Sequence, residues 1–369
     1  MNLSLRYLVV QRFSLCPFFQ FSESNRVMIS DIYAAKQFSS FLVSRCSSHV
    51  FRSNFGYFLK CAIVFESLDY KNTLFTSLLT ISDTVSSLVS DCQFSNCNSR
   101  AIYCDKTSSN LTILKSDFFY CGVSGAYGGA IHARCSRLFL ARLCFVNCYS
   151  IGNHCNAYYG LCSIQAEAVY ISCFKCPNTE SCWNHVSGFE CPVQKSSNQN
   201  YTKNKMSVNA GLGIFKATVS SVLEFYTSIG HTAGGALCFY SMSISGNHRY
   251  GNIIGNTITG TIQGSVLFEG SSTSLSYFYF SGNTGPYTCQ MTSGSSGTFI
   301  SCIFDRNSII NEIGCQTCIN CIFSTEGMSK NVIFHLNTGL CEGEEISITQ
   351  RLRFKLQNCF IFVNFLLSN

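Results

Sequence analysis

Apolar and polar positions alternate with a period of two along much of the chain. In NLTILKSDF from Asn110, TSLSYFYF from Thr273 and GTFISCIF from Gly297, every second side chain is apolar and the intervening ones are mostly Ser, Thr or Lys. That alternation predicts strands with one buried and one wet face. A short unit returns at the end of such strands: a Phe, then Asn or Cys three residues later. It reads FRSN (Phe51 to Asn54), FSNC (Phe94 to Cys97), FFYC (Phe118 to Cys121) and FVNC (Phe145 to Cys148). Looser or later copies are FYTS (Phe225 to Ser228), IIGN (Ile253 to Asn256), FSGN (Phe280 to Asn283) and FDRN (Phe304 to Asn307). From Cys97 through Cys121 to Cys148 the steps are 24 and 27 residues, and from Ser228 through Asn256 and Asn283 to Asn307 they are 28, 27 and 24.

Three short strands and their turns consume about that many residues, so the period predicts one coil of a parallel β-helix. No single coil can bury its apolar face, and each must stack on a neighbour about 4.8 Å away. The Phe residues then form an interior aromatic stack and the Asn or Cys a corner ladder. Most coils continue into a Gly or small-residue turn and another apolar strand: GGAI from Gly128 and Gly129, GGAL from Gly234 and Gly235, and more loosely GSVLF from Gly264. A leucine-rich repeat has a similar period but needs a leucine frame that is missing here. A β-sandwich lacks a returning motif. The expected fold is all-β, a right-handed parallel β-helix of the single-stranded, pectate-lyase-like kind. Its domain spans 41–340, after a poorly defined leader or cap at 1–40 and before a tail at 341–369.

The repeat is lost to the eye between Cys176 and about Ala210, where Cys182, Trp183, His185, Cys191 and a run rich in Ser, Asn and Lys follow one another. This predicts a Cys-rich loop at 177–210 leaving one face of the solenoid, with Trp183 and His185 as its candidate binding residues. Cys173, Cys176, Cys182 and His185 could hold zinc. A loop stapled by disulfides is the preferred reading, because Cys191 completes an even set of four Cys. Cys315, Cys318 and Cys321 are spaced like part of an iron–sulfur run, but the fourth Cys followed by Pro is missing and the segment reads as a repeat strand. No cofactor is expected.

Composition narrows the class. The 369 residues are 46% hydrophobic and 14% aromatic but only 12% charged, enough for a continuous core and contrary to disorder. The net charge of +6 is scattered, without a basic run for phosphates, so nucleic-acid binding is not expected. Twenty-four Cys favour an extracellular or cell-surface setting. Cys97, Cys121 and Cys148, with parallel Cβ directions on one ladder, are expected to be reduced thiols all the same. The first 21 residues are interrupted by Arg6 and Arg12 and show no clean signal peptide, and the last eleven are too short to span a membrane, so attachment to a membrane is not evident.

The seven Asp are mostly dispersed. Asp91 and Asp117 could align one coil apart, since each lies just before the Phe unit, though a turn cap or a solvated side chain is the plainer reading of each. His231 in GHTAGG and His248 in GNHRYGN are the most site-like polar positions, though a turn role is the plainer reading of a His beside Gly. No catalytic residue is assigned.

The F-x-x-N units at Phe51, Phe280 and Phe304, their Cys variants at Phe94, Phe118 and Phe145, and the GGA turns at Gly128 and Gly234 resemble the polymorphic outer-membrane proteins first known from chlamydiae. They are also similar to the Cys-rich β-helix families of trichomonad protists. The resemblance covers roughly 50–325. It implies a non-enzymatic surface adhesin or variable surface antigen with a host-cell, matrix or glycan partner. The membrane barrel or C-terminal membrane helix of those families is not read in these residues. The alternative is a polysaccharide lyase or hydrolase of the pectate-lyase-like type.

Overall fold

Alternation of the kind seen from Asn110 gives strands whose buried residues recur at every second position, and the strand Ile102–Leu114 shows this directly. A computed structural model of the protein describes strand backbones between residues 2 and 66. It also describes residues 86–323, apart from 178–184, 209–210, 235–238, 243–244, 261–263, 269–271, 292–293 and 306–314. Among the described residues the fold is all-β, and the long strands pair in parallel with the strands one coil before and one coil after. This is a parallel β-solenoid, the expected fold class.

One register column carries the core. Phe94, Phe118, Phe145, Cys173, Tyr201, Ser228, Ile253, Phe280, Phe304 and Phe323 are successive backbone partners. Neighbouring rings in it are nearly parallel: Phe94 and Phe118 at 4.9 Å and 3°, Phe118 and Phe145 at 4.8 Å and 10°, Phe280 and Phe304 at 4.8 Å and 4°. The spacing equals the distance between hydrogen-bonded strands, so stacking of coils dictates stacking of rings.

Three residues further on, the chain turns through a left-handed residue and presents the corner position. Asn96, Tyr120, Asn147, Lys175, Lys203, Gly230, Gly255 and Gly282 all have φ between 50° and 65°. At Gly255 and Gly282 the absence of a Cβ removes the penalty of that conformation. The corner residues obey one rule. From Cys176 to Asn283 each accepts a hydrogen bond from the backbone N–H of the corner residue in the preceding coil: Cys176 Sγ from Cys148 at 3.3 Å, Asn204 Oδ1 from Cys176 at 2.6 Å, His231 Nδ1 from Asn204 at 3.0 Å, Asn256 Oδ1 from His231 at 2.9 Å and Asn283 Oδ1 from Asn256 at 3.1 Å. Several also donate to the carbonyl at the Phe position of the preceding coil: Cys121 to Phe94, Cys148 to Phe118, Asn256 to Ser228 and Asn283 to Ile253. Cys can stand for Asn because a thiol also offers one weak donor and one weak acceptor on a short side chain. Cys97, Cys121, Cys148 and Cys176 are accordingly free and buried.

Asn256→Ala removes the acceptor for His231 N–H and the donors to Ser228 and Asn283, leaving buried partners unpaired. We expect this substitution to lower the unfolding free energy by roughly 3 kcal/mol in urea denaturation, and a loss below about 1 kcal/mol would show that the ladder is energetically idle.

The register corrects four expectations. The FRSN unit is out of phase, since Phe51 pairs with Ser90 and it is Phe55 that pairs with Phe94; Asn54 lies beside Gln93. FYTS is likewise shifted: Ser228 takes the Phe position, and Phe225 sits at another left-handed corner, its ring stacked on Tyr250 at 5.1 Å. The stretch 177–210 is largely not a loop. Ser187–Glu190 pairs with Tyr158–Phe174 and Leu212–Phe215, and Val193–Thr202 pairs with Tyr158–Phe174 and Ser220–Ile229, which makes a full coil. Its polar Ser, Asn and Lys alternate between inside and outside, and Gln194, Ser196 and Gln199 are buried. Gln194 satisfies the carbonyls of Cys191 and Phe215, and Gln199 those of Ala168 and Ser197. Buried amides thus replace an apolar signal that periodicity could detect. Finally, strands within 1–40 pair in parallel like the coils that follow, as Asn2–Arg6 does with Arg26–Ser30. Residues 178–184, Gly235, Asn307 and the tail at 341–369 lie outside the described residues.

The GGA turn has a steric cause. Gly128 has φ 69°, and a Cβ on Gly129 would collide with the backbone carbonyls of Tyr149 and Asn156 in the next coil. Gly234 is similarly crowded by the carbonyl of Ser207.

Candidate interaction face

Two residues after the small residue that ends the turn, the strand presents an outward position. Ala101, Ala130 and Ala157 are followed there by Tyr103, His132 and Tyr159, which are register partners in three successive coils. Their rings lie 5.4 Å and 5.6 Å apart. Tyr127, 39% exposed, covers Tyr159 at 5.0 Å and His154 at 5.4 Å from the turn above. The next two register positions are Gly188 and Gly213. A Cβ on Gly188 would approach the Phe215 ring to 2.7 Å, so these glycines leave room for Phe215 to lie against the strands, edge-on to His185 at 5.0 Å.

Polar groups frame the rings. Tyr159 donates its hydroxyl to Glu190 Oε2 at 2.8 Å, and Lys216 Nζ pairs with the other oxygen of Glu190. Arg100 donates from Nε to the Tyr127 carbonyl at 2.7 Å and lies 5.3 Å from the Tyr103 ring centroid. Arg134 and Asp105 are 3.8 Å apart and too exposed to contribute much.

Burial, reinforced by the Arg100 charge, brings His132 down to about 4, and burial lowers His154. Burial works to raise the Glu190 carboxyl, but the hydrogen bonds from Lys216 and Tyr159 outweigh it and hold Glu190 below its ordinary value. Burial and the bond to Glu190 raise Tyr159. At neutral pH His132 and His154 are therefore uncharged, Tyr159 keeps its proton, and the Glu190 carboxylate is charge-paired with Lys216. Such a surface can stack and hydrogen-bond; it is poorly furnished with a strong base.

The residues singled out from the sequence are placed elsewhere. His231 is a rung of the corner ladder, and His248, the register partner of Leu223 and Leu275, is fully buried. Cys173 occupies the Phe column and Cys176 the corner ladder, both as free thiols. His185 lies against His154 and Phe215, under the face described above. Cys182 and Trp183 are outside the described residues. Among the described residues no three metal-ligating side chains converge. Asp91 and Asp117 do not align: Asp117 pairs with Gln93, whereas Asp91 is an exposed left-handed corner residue. Cys315 and Cys318 lie in a coil strand paired with Ser296–Ile300, and Cys321 donates its thiol to the Phe299 carbonyl.

Sequence reasoning missed Tyr103, Tyr127, His132, His154 and Tyr159. Aligning AIY, AIH and AYY on their alanines would have exposed the outward column. Comparison with known proteins finds no matching family model, no matching curated protein and no matching solved structure. Fold and face together define a parallel β-solenoid with an aromatic, histidine-bearing lateral surface. Among the described residues no helix is long and apolar enough to cross a membrane.

Proposed function

We propose that the protein is a non-enzymatic surface or secreted solenoid that adheres to a glycan-bearing host-cell or matrix partner through the lateral face around Tyr127. The observation that carries this reading is the convergence of Tyr103, Tyr127, His132, His154 and Tyr159 on the outside of successive coils. Meanwhile His231, His248, Cys173 and Cys176 are taken up by packing and ladders inside. The exposed Tyr127 ring and the half-buried Tyr103, backed by the buried Tyr159, together with neutral hydrogen-bonding groups suit sugar rings, which present both C–H faces and hydroxyls. An exported setting is supported by the Cys content.

Purified protein tested on a panel of glycans, matrix preparations and whole cells is expected to bind at least one. Tyr127→Ala is expected to weaken that binding at least tenfold while changing stability by about 1 kcal/mol, because the ring is part-exposed at a turn and outside the continuous core. Absence of binding, or a variant that binds as well as the parent, overturns the proposal. Turnover of a polyuronide by the protein, abolished by His132→Ala, would replace it with the lyase reading.

A further inference from the structure

Beyond the corner ladder lies a second column of thiols. Lys106, Cys135 and Cys162 are register partners in successive coils, and Cys191 follows Glu190, the partner of Leu161, and so continues the column. Cys135 and Cys162 are 1% and 4% exposed, and their Sγ atoms stand 3.7 Å apart. Two features set this pair apart from the corner thiols. The corner thiols are shared between carbonyls of the preceding coil and of their own coil, Cys121 between Phe94 and Phe119 and Cys148 between Phe118 and Val146, so their cross-coil hydrogen bonds go to backbone. The Cys135 thiol likewise meets a carbonyl of its own strand, that of Arg137, but its cross-coil partner is a sulfur, Cys162 Sγ at 3.7 Å. In addition, the ladder slips directly after the pair: Cys135 faces Cys162, but Arg137 faces Gln165. An irregularity of this kind frees the local backbone from strict parallel pairing. That relaxes the objection that parallel Cβ directions cannot supply a disulfide torsion near 90°.

The geometry points to Cys135 and Cys162 as a dithiol that closes into a cross-coil disulfide when the chain folds in an oxidising medium. The sulfurs must approach to about 2.05 Å, and Cα atoms of stacked coils already fall within the allowed separation. With a low-molecular-weight disulfide such as oxidised glutathione the step balances. Attack by one protein thiolate displaces one glutathione thiol. Attack by the second on the mixed disulfide displaces the other. The protein loses two protons and two electrons, and one glutathione disulfide becomes two thiols. Both sulfurs are sealed from solvent in the finished solenoid, so the reaction belongs to the stage at which the coils dock.

The test is refolding of the reduced full-length chain with excess oxidised glutathione, followed by alkylation in denaturant and non-reducing peptide mapping. The expected result is a linked pair of peptides containing Cys135 and Cys162, lighter by two hydrogens than their sum and present in most molecules. Cys191→Ser is expected to leave that link in place and Cys162→Ser to abolish it. Recovery of Cys135 and Cys162 as alkylated thiols or glutathione adducts overturns the proposal, and so does a Cys162–Cys191 link in place of the expected one.

Discussion

Lowering the pH from 7 to 5 is expected to remove about 6 kcal/mol of stability, much of what a domain normally has in hand. That figure counts three histidines, His185, His231 and His248, each fully buried and brought by that burial from 6.5 down to about 3; His132, at about 4, adds to it with the same sign. The charge of His154 adds to the effect at His185. In the unfolded chain these imidazoles take up a proton as the pH falls below about 6.5, whereas in the solenoid they do not until about 3. Between those values the unfolded state binds more protons, so stability falls with falling pH. It is complete above about 6.5 and declines throughout the interval, by about 2 kcal/mol per histidine at pH 5. His231 shows why the native state resists the proton. Its Nδ1 accepts from Asn204 N–H, so protonation there would set two donors against each other, and Nε2 is buried with no partner.

His231→Asn separates this account from general acid instability. An Asn at 231 keeps an acceptor for Asn204 N–H and, by analogy with Asn256 and Asn283, can donate to the carbonyl of Tyr201 in the preceding coil. Stability at pH 7 should therefore be retained, while about 2 kcal/mol of the loss at pH 5 disappears. Urea denaturation of both proteins at pH 7 and pH 5 measures the difference. Equal losses in the two proteins would exclude His231 as a source.

How far the sequence revealed this molecule follows from what each coil uses to fill the same position. Where Phe fills the core column and Cys or Asn the corner, as at Phe94, Phe118, Phe145 and Phe280, motif and register coincide. Where Cys173, Tyr201 and Ser228 fill the core column, no common letter marks the coil, and a coil built on buried Gln194 and Gln199 reads as a polar loop. The repeat is one of function at each position, a small donor–acceptor at the corner, more than one of residue type. His231 illustrates the ambiguity, since a histidine serving the ladder looks like a histidine serving a site.

The lateral face was hidden for a related reason. Outward positions are not constrained by the core, so Tyr103, His132 and Tyr159 share only their distance from Ala101, Ala130 and Ala157. Tyr127 and His154 come from the turns, where spacing varies from coil to coil. Their convergence depends on the coil lengths between them, which only the paired register supplies.

Phe118→Ala is expected to cost roughly 3–5 kcal/mol and to change the form of the unfolding transition as well as its midpoint. Phe118 is wholly buried and stacked on both sides, by Phe94 at 4.9 Å and Phe145 at 4.8 Å. Truncation removes the ring's transfer free energy and both stacks. It also leaves a cavity that cannot collapse, because the coils above and below are held at the strand spacing by their own hydrogen bonds. In a globular core such a loss lowers one cooperative transition. In a solenoid each coil touches only its neighbours, so the weakened interfaces divide the stack into segments that can unfold separately. The expected signature is a broadened urea transition with a reduced slope, and hydrogen exchange that becomes faster around the Asp117–Phe119 strand before it does in Ser272–Ser281. Phe118→Leu, which keeps most of the volume, should cost about 1 kcal/mol and leave the slope unchanged. A single sharp transition in Phe118→Ala, merely shifted, would mean that the coils are coupled well beyond nearest neighbours and that the stack behaves as one core.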